Sequence, residues 1–137
     1  MKRDPRLHPL SSDHHHALAL ARRAARAAAE PSGPAADAVW REVRSLFLAD
    51  LTPHFDVEER ILLPALRAAG EVELVERTLA EHAAIRACVA DEGEVRSRLA
   101  TFATLLTEHV RFEERVLFEV AQARLPETVL EEVLAGR

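Results

Sequence analysis

The chain of 137 residues has little of several residue types, and each shortage excludes a class of protein. Its single cysteine, Cys88, excludes an internal disulfide framework and a cysteine-ligated zinc or iron–sulfur site. The absence of tyrosine argues against an enzyme that generates a tyrosyl radical. Only four glycines occur, and together with 48% apolar and 30% charged residues this composition is typical of a soluble helical protein.

Long apolar runs and excess positive charge are also lacking. No apolar run approaches the length of a membrane span, and the first residues lack the apolar core of a signal peptide. We therefore expect a cytoplasmic protein that does not contact a membrane. The net charge of -5 gives binding to nucleic acid little electrostatic support.

Apolar residues recur at helical spacing over most of the chain. This periodicity predicts four long helices and one short helix. The first ends at about residue 29, and the others lie at about residues 36–69, 72–91, 94–124 and 126–134. Ser11 or Ser12 is the expected cap of the first helix, and Gly70 is the expected stop of the second. Pro53 is expected to bend the second helix, and residues 30–34 form a clear break.

Four long amphipathic helices with short connections predict an all-α, antiparallel up-down four-helix bundle. We expect an irregular arm at residues 1–9, the bundle at residues 10–125, and a short C-terminal helix and tail at residues 126–137. The apolar side of that last helix either covers one end of the bundle or mediates dimerisation. The predicted inward face of the first helix comprises Leu10, His14, Ala17, Leu18, Ala21, Ala25 and Ala28.

One motif occurs twice: the pattern H-x-x-x-E-E-R-x-L begins at His54 and again at His109. On a helix, residues four apart share one face, and in both copies that face is apolar. A carboxylate buried among apolar side chains is costly unless it is compensated. The inward pairs of His54 with Glu58 and of His109 with Glu113 therefore indicate metal ligands. Downstream, the predicted apolar face continues at Ile61, Ala65, Val116 and Val120.

Each half of the chain has a further histidine upstream, in Asp13-His14 and in Glu81-His82. Four imidazoles and two carboxylates suit a pair of iron ions, with each carboxylate able to bridge. His15 is the alternative to His14, and His16 is expected to face solvent. The six candidate ligands are His14, His54, Glu58, His82, His109 and Glu113.

Together these motifs resemble the hemerythrin-like (HHE cation-binding) family over about residues 10–123. The resemblance is carried by Asp13-His14, His54-Phe55-x-x-Glu58-Glu59, Glu81-His82 and His109-Val110-x-x-Glu113-Glu114. It implies a non-haem di-iron centre in a four-helix bundle, with reactivity toward dioxygen, nitric oxide or peroxide. It also implies that Glu58 and Glu113 bridge the metals. His14 and His54 would hold one iron, and His82 and His109 the other.

The chain departs from the oxygen-carrying hemerythrins in two ways. They have a second histidine four residues after the third-helix histidine, where this chain has Arg86, and a longer spacing than His-x-x-x-Glu in the fourth helix. The site is more similar to the four-histidine, two-glutamate sites of bacterial relatives, including those tied to nitric-oxide stress and iron–sulfur repair. Fewer protein ligands imply open metal positions, which favours ligand reactivity over reversible oxygen carriage.

We therefore predict a protein that binds or senses dioxygen, nitric oxide or peroxide, or handles iron under oxidative or nitrosative stress. The alternative is a di-iron oxidase or peroxidase that draws electrons from an external reductase, since no flavin or nicotinamide site is evident. A metal-free helical interaction module is a third hypothesis. The expected partners are the small ligand and a reductase or signalling protein, with the chain as a monomer or homodimer.

Three charged residues beside the candidate ligands each have two alternative roles. Glu59 and Glu114 are expected to be exposed helix charges, with orientation of a ligand imidazole as the alternative. Arg86 either pairs with a site carboxylate or extends to solvent. The residues expected to form the apolar surroundings of the site are Phe55, Leu62, Ile85, Phe112, Val116 and Leu117.

Overall fold

Five helices account for most of residues 2–30 and 33–137, the part of the chain that the computed structural model describes, and no strand occurs in this part. The helices are α1 at His8–Ala29, α2 at residues 33–68, α3 at Val72–Ala90, α4 at residues 95–124 and α5 at Glu127–Gly136. A 3-10 turn at Pro5–Leu7 leads into α1. The all-α prediction is confirmed, while residues 31 and 32 of the predicted break lie outside the described residues.

Contacts between helices show that neighbours in the bundle run antiparallel. Asp13 near the start of α1 contacts His54 in the second half of α2, whereas Arg23 further along α1 contacts Glu42 nearer the start of α2. The same inverse order holds for α2 with α3, α3 with α4 and α4 with α1. This is the up-down topology that the sequence predicts.

α1 begins at His8, so residues 5–9 are helical and not part of an irregular arm. Neither Ser11 nor Ser12 caps the helix, because both lie inside it. The hydroxyl of Ser11 instead donates to Oε2 of Glu114 at 2.9 Å. The buried face of α1 is also turned relative to the prediction, because both α2 and α4 pack against it. The residues that it buries are Leu10, His14, Ala17, Leu20, Ala21, Ala24 and Ala27, while Leu18 and Ala28 are half-buried and Ala25 is exposed.

The two helices that contain the repeated motif also contain π turns, each of which holds one residue more than an α turn. α2 has π turns at Phe47–Leu51 and Glu58–Leu62, and α4 has one at Glu113–Leu117. Pro53 and Pro64 follow the two π turns of α2 closely, and the helix continues past both prolines to Ala68. The π turn lets the helix accommodate a residue that has no N–H to donate.

The π turns at Glu58 and Glu113 shift the buried face downstream by one residue. Four residues were predicted to lie on this face: Ile61, Ala65, Val116 and Val120. Of these, Val116 is 38% exposed and the other three are half-buried. The residues buried instead are Leu62, Leu66, Leu117 and Ala121. The extra residue in each turn rotates the following helix by about 100°, the angle that one residue spans. Of the six residues expected to surround the site, Val116 is exposed. The other five are buried: Phe55, Leu62, Ile85, Phe112 and Leu117.

Gly70 ends α2, as the sequence predicts. Its φ is +92°, in the left-handed region where a glycine has no Cβ to clash. Its N–H donates to the carbonyl of Arg67 at 3.0 Å, and the N–H of Glu71 donates to the carbonyl of Leu66 at 2.9 Å. These two bonds form a Schellman motif that satisfies two carbonyls at the helix end.

Replacing Gly70 by alanine is expected to lower the free energy of unfolding by about 1 kcal/mol, because an L-residue is strained at this φ. Urea denaturation followed by circular dichroism measures the change. Gly93→Ala, in the connection between α3 and α4, is the comparison at a glycine whose φ is not positive. An unchanged free energy of unfolding in Gly70→Ala would contradict the assignment of strain to Gly70.

The core consists of two apolar clusters with a polar layer between them. Along α1, Leu10 belongs to one cluster and Ala17 to the other, with His14 between them. Along α4, Leu106 and Leu117 belong to opposite clusters, and His109 and Glu113 lie between them. The bundle therefore places its buried ionisable groups at one level, enclosed by apolar side chains above and below.

α5 packs on the outside of the bundle, where Leu130 and Val133 join the cluster that contains Leu7 and Leu10. Its end lies close to α2, since a Cβ on Gly136 would be 3.0 Å from Cδ1 of Ile61. Of the two predicted roles for the helix, the structure therefore supports covering the bundle. Within the described residues no helix is long and apolar enough to cross a membrane.

Candidate metal centre

The structure brings the six candidate ligands together in the polar layer, and we call them the inner cluster. Each has at most 3% of its surface exposed: His14, His54, Glu58, His82, His109 and Glu113. One histidine comes from α1, one from α3, and a histidine and a glutamate come from each of α2 and α4. His14 is the α1 member, while the neighbouring His15 and His16 are exposed.

The two glutamates lie at the centre of the inner cluster. Glu113 approaches His14 Nε2 at 2.8 Å and His109 Nε2 at 3.0 Å, and it lies 3.4 and 3.5 Å from Nε2 of the other two histidines. Glu58 approaches His82 Nε2 at 3.0 Å and His54 Nε2 at 3.2 Å. All four histidines thus direct Nε2 toward the two carboxylates.

Two overlapping groups in this cluster have the geometry to hold a metal ion. The first contains His14 and His54, the second contains His82 and His109, and both contain Glu58 and Glu113. In each group the four donor atoms lie within 4.8 Å of one another. Since first-row metals bond nitrogen and oxygen at about 2.0–2.2 Å, a small inward movement would bring the donors of one group onto a common ion.

Several buried atoms of the inner cluster have no hydrogen-bond partner among the described residues. They are both carboxylate oxygens of Glu58, Nε2 of His82, Nε2 of His109 and Oε2 of Glu113. His109 Nε2 lies 3.0 Å from Glu113 Oε2, so the distance permits a hydrogen bond and only the direction does not. Buried polar atoms without partners are costly, and donors that converge without bonding one another fit a cation between them.

Each histidine also directs its other ring nitrogen, Nδ1, to a carboxylate outside the inner cluster. These outer carboxylates are Glu114 for His14 at 2.7 Å, Asp13 for His54 at 3.0 Å, Glu59 for His82 at 2.6 Å and Glu81 for His109 at 2.7 Å. An acceptor at Nδ1 keeps the proton there and leaves the Nε2 lone pair toward the centre.

The outer carboxylates correct one prediction and add residues that it missed. Glu59 and Glu114 are not simply exposed helix charges, since each accepts a hydrogen bond from a buried histidine of another helix. Asp13 and Glu81 do the same, although no such role was predicted for them. The signal was present in the repeat, because an acid precedes each upstream histidine and a second glutamate follows each inward one.

The contacts of the two sequence halves match one another pair by pair. His54 with Asp13 corresponds to His109 with Glu81. His82 with Glu59 corresponds to His14 with Glu114. The exchange also converts one four-residue metal group into the other. The internal repeat of the sequence is therefore expressed as a pseudo-twofold relation within the site.

The carboxylates raise the pKa values of the four histidines. Burial acts against the charged imidazole, but Glu113 and Glu81 outweigh it and raise the pKa of His109 to about 10. Glu113 and Glu58 likewise outweigh burial and raise the pKa of His82 to about 9. Nearby carboxylates also outweigh burial at His14 and His54 and raise their pKa values. Burial would raise the pKa of Glu113, but the surrounding histidines, His109 above all, lower it well below its ordinary value. Without a cation the cluster therefore holds protons.

Aromatic rings fix two of the imidazoles from the apolar side. The ring of Phe55 stacks on His82 with centroids 3.9 Å apart, and Phe118 lies parallel to His14 at 5.2 Å. Both phenylalanines are fully buried. The imidazoles are thus held by a carboxylate at Nδ1 and by a ring face, which leaves little freedom for Nε2.

Comparison with protein-family models gave a match to the hemerythrin HHE cation-binding domain over residues 6–121. Comparisons with curated proteins and with solved structures gave no significant match. The matched range contains the inner cluster and the outer carboxylates. The predicted family is confirmed: the chain belongs to the hemerythrin HHE cation-binding domain family.

Proposed function

We propose that the inner cluster binds two metal ions, with Glu58 and Glu113 as shared ligands, His14 and His54 on one ion, and His82 and His109 on the other. The observation that carries the proposal is the set of buried, unpaired donor atoms that converge between the four histidines. A cation held there would compensate both glutamates, and the outer carboxylates orient the Nε2 lone pairs of the four histidines toward it.

We propose iron as the physiological metal. The site offers imidazole and carboxylate donors and no thiolate, a set that suits iron. The six candidate ligands also exceed the number that one tetrahedral zinc ion requires. The pair of iron ions would supply reactivity toward dioxygen, nitric oxide or peroxide. The protein would then bind or sense such a molecule, or handle iron under oxidative or nitrosative stress. A cytoplasmic location and a reductase or signalling partner remain predictions.

The residues of the chain contribute geometry and exclusion of water. The outer carboxylates set the histidine tautomers, and Phe55 and Phe118 restrict the ring planes. The two apolar clusters separate the polar layer from solvent at both ends. Such a dry and preorganised layer favours binding of a small, weakly polar ligand over bulk water.

The test is metal content per chain after anaerobic reconstitution with Fe(II), followed by optical spectra before and after addition of O2 or NO. We expect two irons per chain and near-UV bands that change when the ligand is added. Continued consumption of peroxide with a reductant would favour the oxidase or peroxidase alternative over a binding or sensing role. A fully folded chain that takes up no iron, zinc or manganese would reject the proposal in favour of a helical interaction module.

A further inference from the structure

An arginine lies against each of the four outer carboxylates. Arg137 Nε contacts Asp13 at 2.6 Å, Arg86 Nη1 contacts Glu59 at 2.7 Å, Arg77 Nε contacts Glu81 at 2.9 Å, and Arg3 Nη2 lies 3.5 Å from Glu114. Each of the four histidines therefore begins a chain of contacts that leads from imidazole to carboxylate to guanidinium.

The sequence repeat does not account for these arginines. Asp13 and Glu81 are equivalent in the two halves, yet Arg137 follows α5 whereas Arg77 is one turn before Glu81 on α3. Similarly, Glu59 is contacted from α3 and Glu114 from the segment before α1. The four arginines come from different segments of the chain, yet each contacts an outer carboxylate. This indicates that each outer carboxylate needs a positively charged partner, whichever segment supplies it.

Two of the arginines contact the same carboxylate oxygen that bonds a histidine of the inner cluster. Arg86 Nη1 donates to Glu59 Oε2, the oxygen that faces His82 Nδ1, and its Nη2 reaches Oε1 at 3.3 Å. Arg137 Nε donates to Asp13 Oδ2, the oxygen that faces His54 Nδ1, and its Nη2 donates to Oδ1 at 2.7 Å. A planar guanidinium that holds both oxygens fixes the plane of the carboxylate.

The competing explanation is that Arg86 and Glu59 form an ordinary surface ion pair. Such exposed pairs contribute little to stability. The Arg86 side chain is 42% exposed, so its charge alone is partly screened by solvent. Its contacts are nevertheless directed inward, since Glu59 bonds a fully buried histidine and the guanidinium lies 5.4 Å from the Phe55 ring that stacks on that histidine. Arg60 with Asp56 is a true surface pair of similar length, with both side chains more than half exposed.

We infer that Arg86 and Arg137 are positioning residues for the metal centre: by holding Glu59 and Asp13, they fix the orientation of His82 and His54, one histidine in each of the two metal groups. This inference rests on the proposed function, since it concerns the same histidines as ligands.

The test compares Arg86→Gln with Arg60→Gln, a matched loss of one arginine from an ion pair at the surface. Zn(II) affinity is measured by competition with a chelator. We expect Arg86→Gln to weaken binding by at least tenfold, as is typical when a group that orients a metal-ligating histidine is removed. Arg60→Gln should stay within twofold of the unaltered chain. Arg86→Lys keeps the charge but cannot hold both oxygens of Glu59 in one plane, so it should recover only part of the loss.

A second measurement separates positioning from a general loss of stability. In the zinc-loaded, ¹⁵N-labelled protein, the Nδ1 proton of His82 should exchange with solvent at least tenfold faster in Arg86→Gln and at an unchanged rate in Arg60→Gln. If Arg86→Gln proves unstable, the same comparison is made with Arg137→Gln, following the Nδ1 proton of His54.

Two outcomes would overturn the inference. Unchanged zinc affinity and proton exchange in Arg86→Gln would make the contact a surface ion pair. Tighter zinc binding would show that the arginine acts only by its charge, because removal of a nearby positive charge favours a cation. If the unaltered chain binds neither zinc nor iron, the proposed function fails and the inference fails with it; if only the variant comparison fails, the proposed function stands.

Discussion

Glu113→Ala is expected to abolish binding of the proposed metal pair, leaving at most one weakly bound ion per chain. Glu113 lies within 3.5 Å of Nε2 of all four histidines and belongs to both metal groups. Its removal would take an oxygen donor from both groups and a negative charge from a fully buried position. We expect the same loss for Glu58→Ala, which removes the other shared carboxylate.

The measurement is metal content and affinity after reconstitution with Fe(II) or Zn(II), with circular dichroism to verify the fold. Removal of one partner from a buried charge cluster costs about 3–5 kcal/mol, so Glu113→Gln, which keeps the side-chain volume, accompanies the alanine variant. Glu108→Ala, an exposed glutamate on the same helix, is the control. If Glu113→Ala remained folded and bound two ions with unaltered affinity, the assignment of Glu113 as a shared ligand would be wrong.

Glu59→Ala should behave differently from the variants at Glu58 and Glu113. Glu59 contacts Nδ1 of His82 and lies outside both metal groups. We therefore expect two ions at saturation but an affinity about 10–100 times lower, because His82 loses the group that orients it. A variant that binds fewer ions has lost a metal ligand, whereas a variant that binds the same number of ions more weakly has lost a residue that orients a ligand.

The inner cluster could be predicted from the sequence because its physical signal is local. A histidine and a glutamate four residues apart on an apolar face are buried on any bundle that buries that face. Two copies of the pattern, each with a histidine upstream, define six residues, and the structure brings all six together. The number and order of the helices follow from equally local signals, such as the positive φ that Gly70 supplies at the end of α2.

The outer contacts could be predicted only in part, because each depends on a neighbouring helix. Glu59 and Glu114 are visible in sequence as residues one step away from the buried face, but their histidine partners lie on α3 and α1. Arg137 and Arg3 could not be foreseen, because they come from outside the four bundle helices. Local periodicity predicts the helix face on which a residue lies, but not which residue of a neighbouring helix it contacts.

The π turns explain why the predicted faces fail just beyond each inner glutamate. Pro64 indicates an irregularity near the π turn at Glu58–Leu62, but no proline lies close after the equivalent turn at Glu113–Leu117. Both turns begin on an inner glutamate, and irregular turns of this kind often occur at functional sites. An α-helical pattern carried through such a turn is wrong by one residue, which is enough to exchange Val116 for Leu117 in the core.

The metal-free chain is expected to lose stability as the pH rises from about 6.5 to 10. The folded-state pKa values of His82 and His109, about 9 and about 10, are above the ordinary value of 6.5. Protonated imidazoles therefore favour the folded state fully below pH 6.5, and this contribution is lost as the pH passes through the raised pKa values. Each tenfold change in proton affinity corresponds to about 1.4 kcal/mol, so the raised pKa of His82 alone implies a decrease of about 3–4 kcal/mol, and the loss of the proton from His109 adds to it.

Loading with metal should remove this dependence, because a cation takes the place of the protons at Nε2. Chemical denaturation at pH 6.5 and pH 9.5 is compared for chelator-treated and zinc-loaded protein. The loaded chain should have nearly equal free energies of unfolding at the two pH values. His15→Gln, which alters an exposed histidine, should follow the unaltered chain. A metal-free chain whose stability stayed constant or increased across this range would contradict the predicted protonation of the inner histidines.

The same exchange predicts that metal binding at pH 7.5 releases protons. Because His82 and His109 are mostly protonated at this pH in the metal-free chain, filling both metal groups should displace about two protons per chain or more. A pH indicator in weakly buffered solution, or calorimetry in buffers of different ionisation enthalpy, counts them. The release should fall as the starting pH approaches 10, and metal affinity should rise over the same range, since protons then compete less for Nε2. A release of zero at pH 7.5 would mean that the four histidines balance the two glutamates without protons.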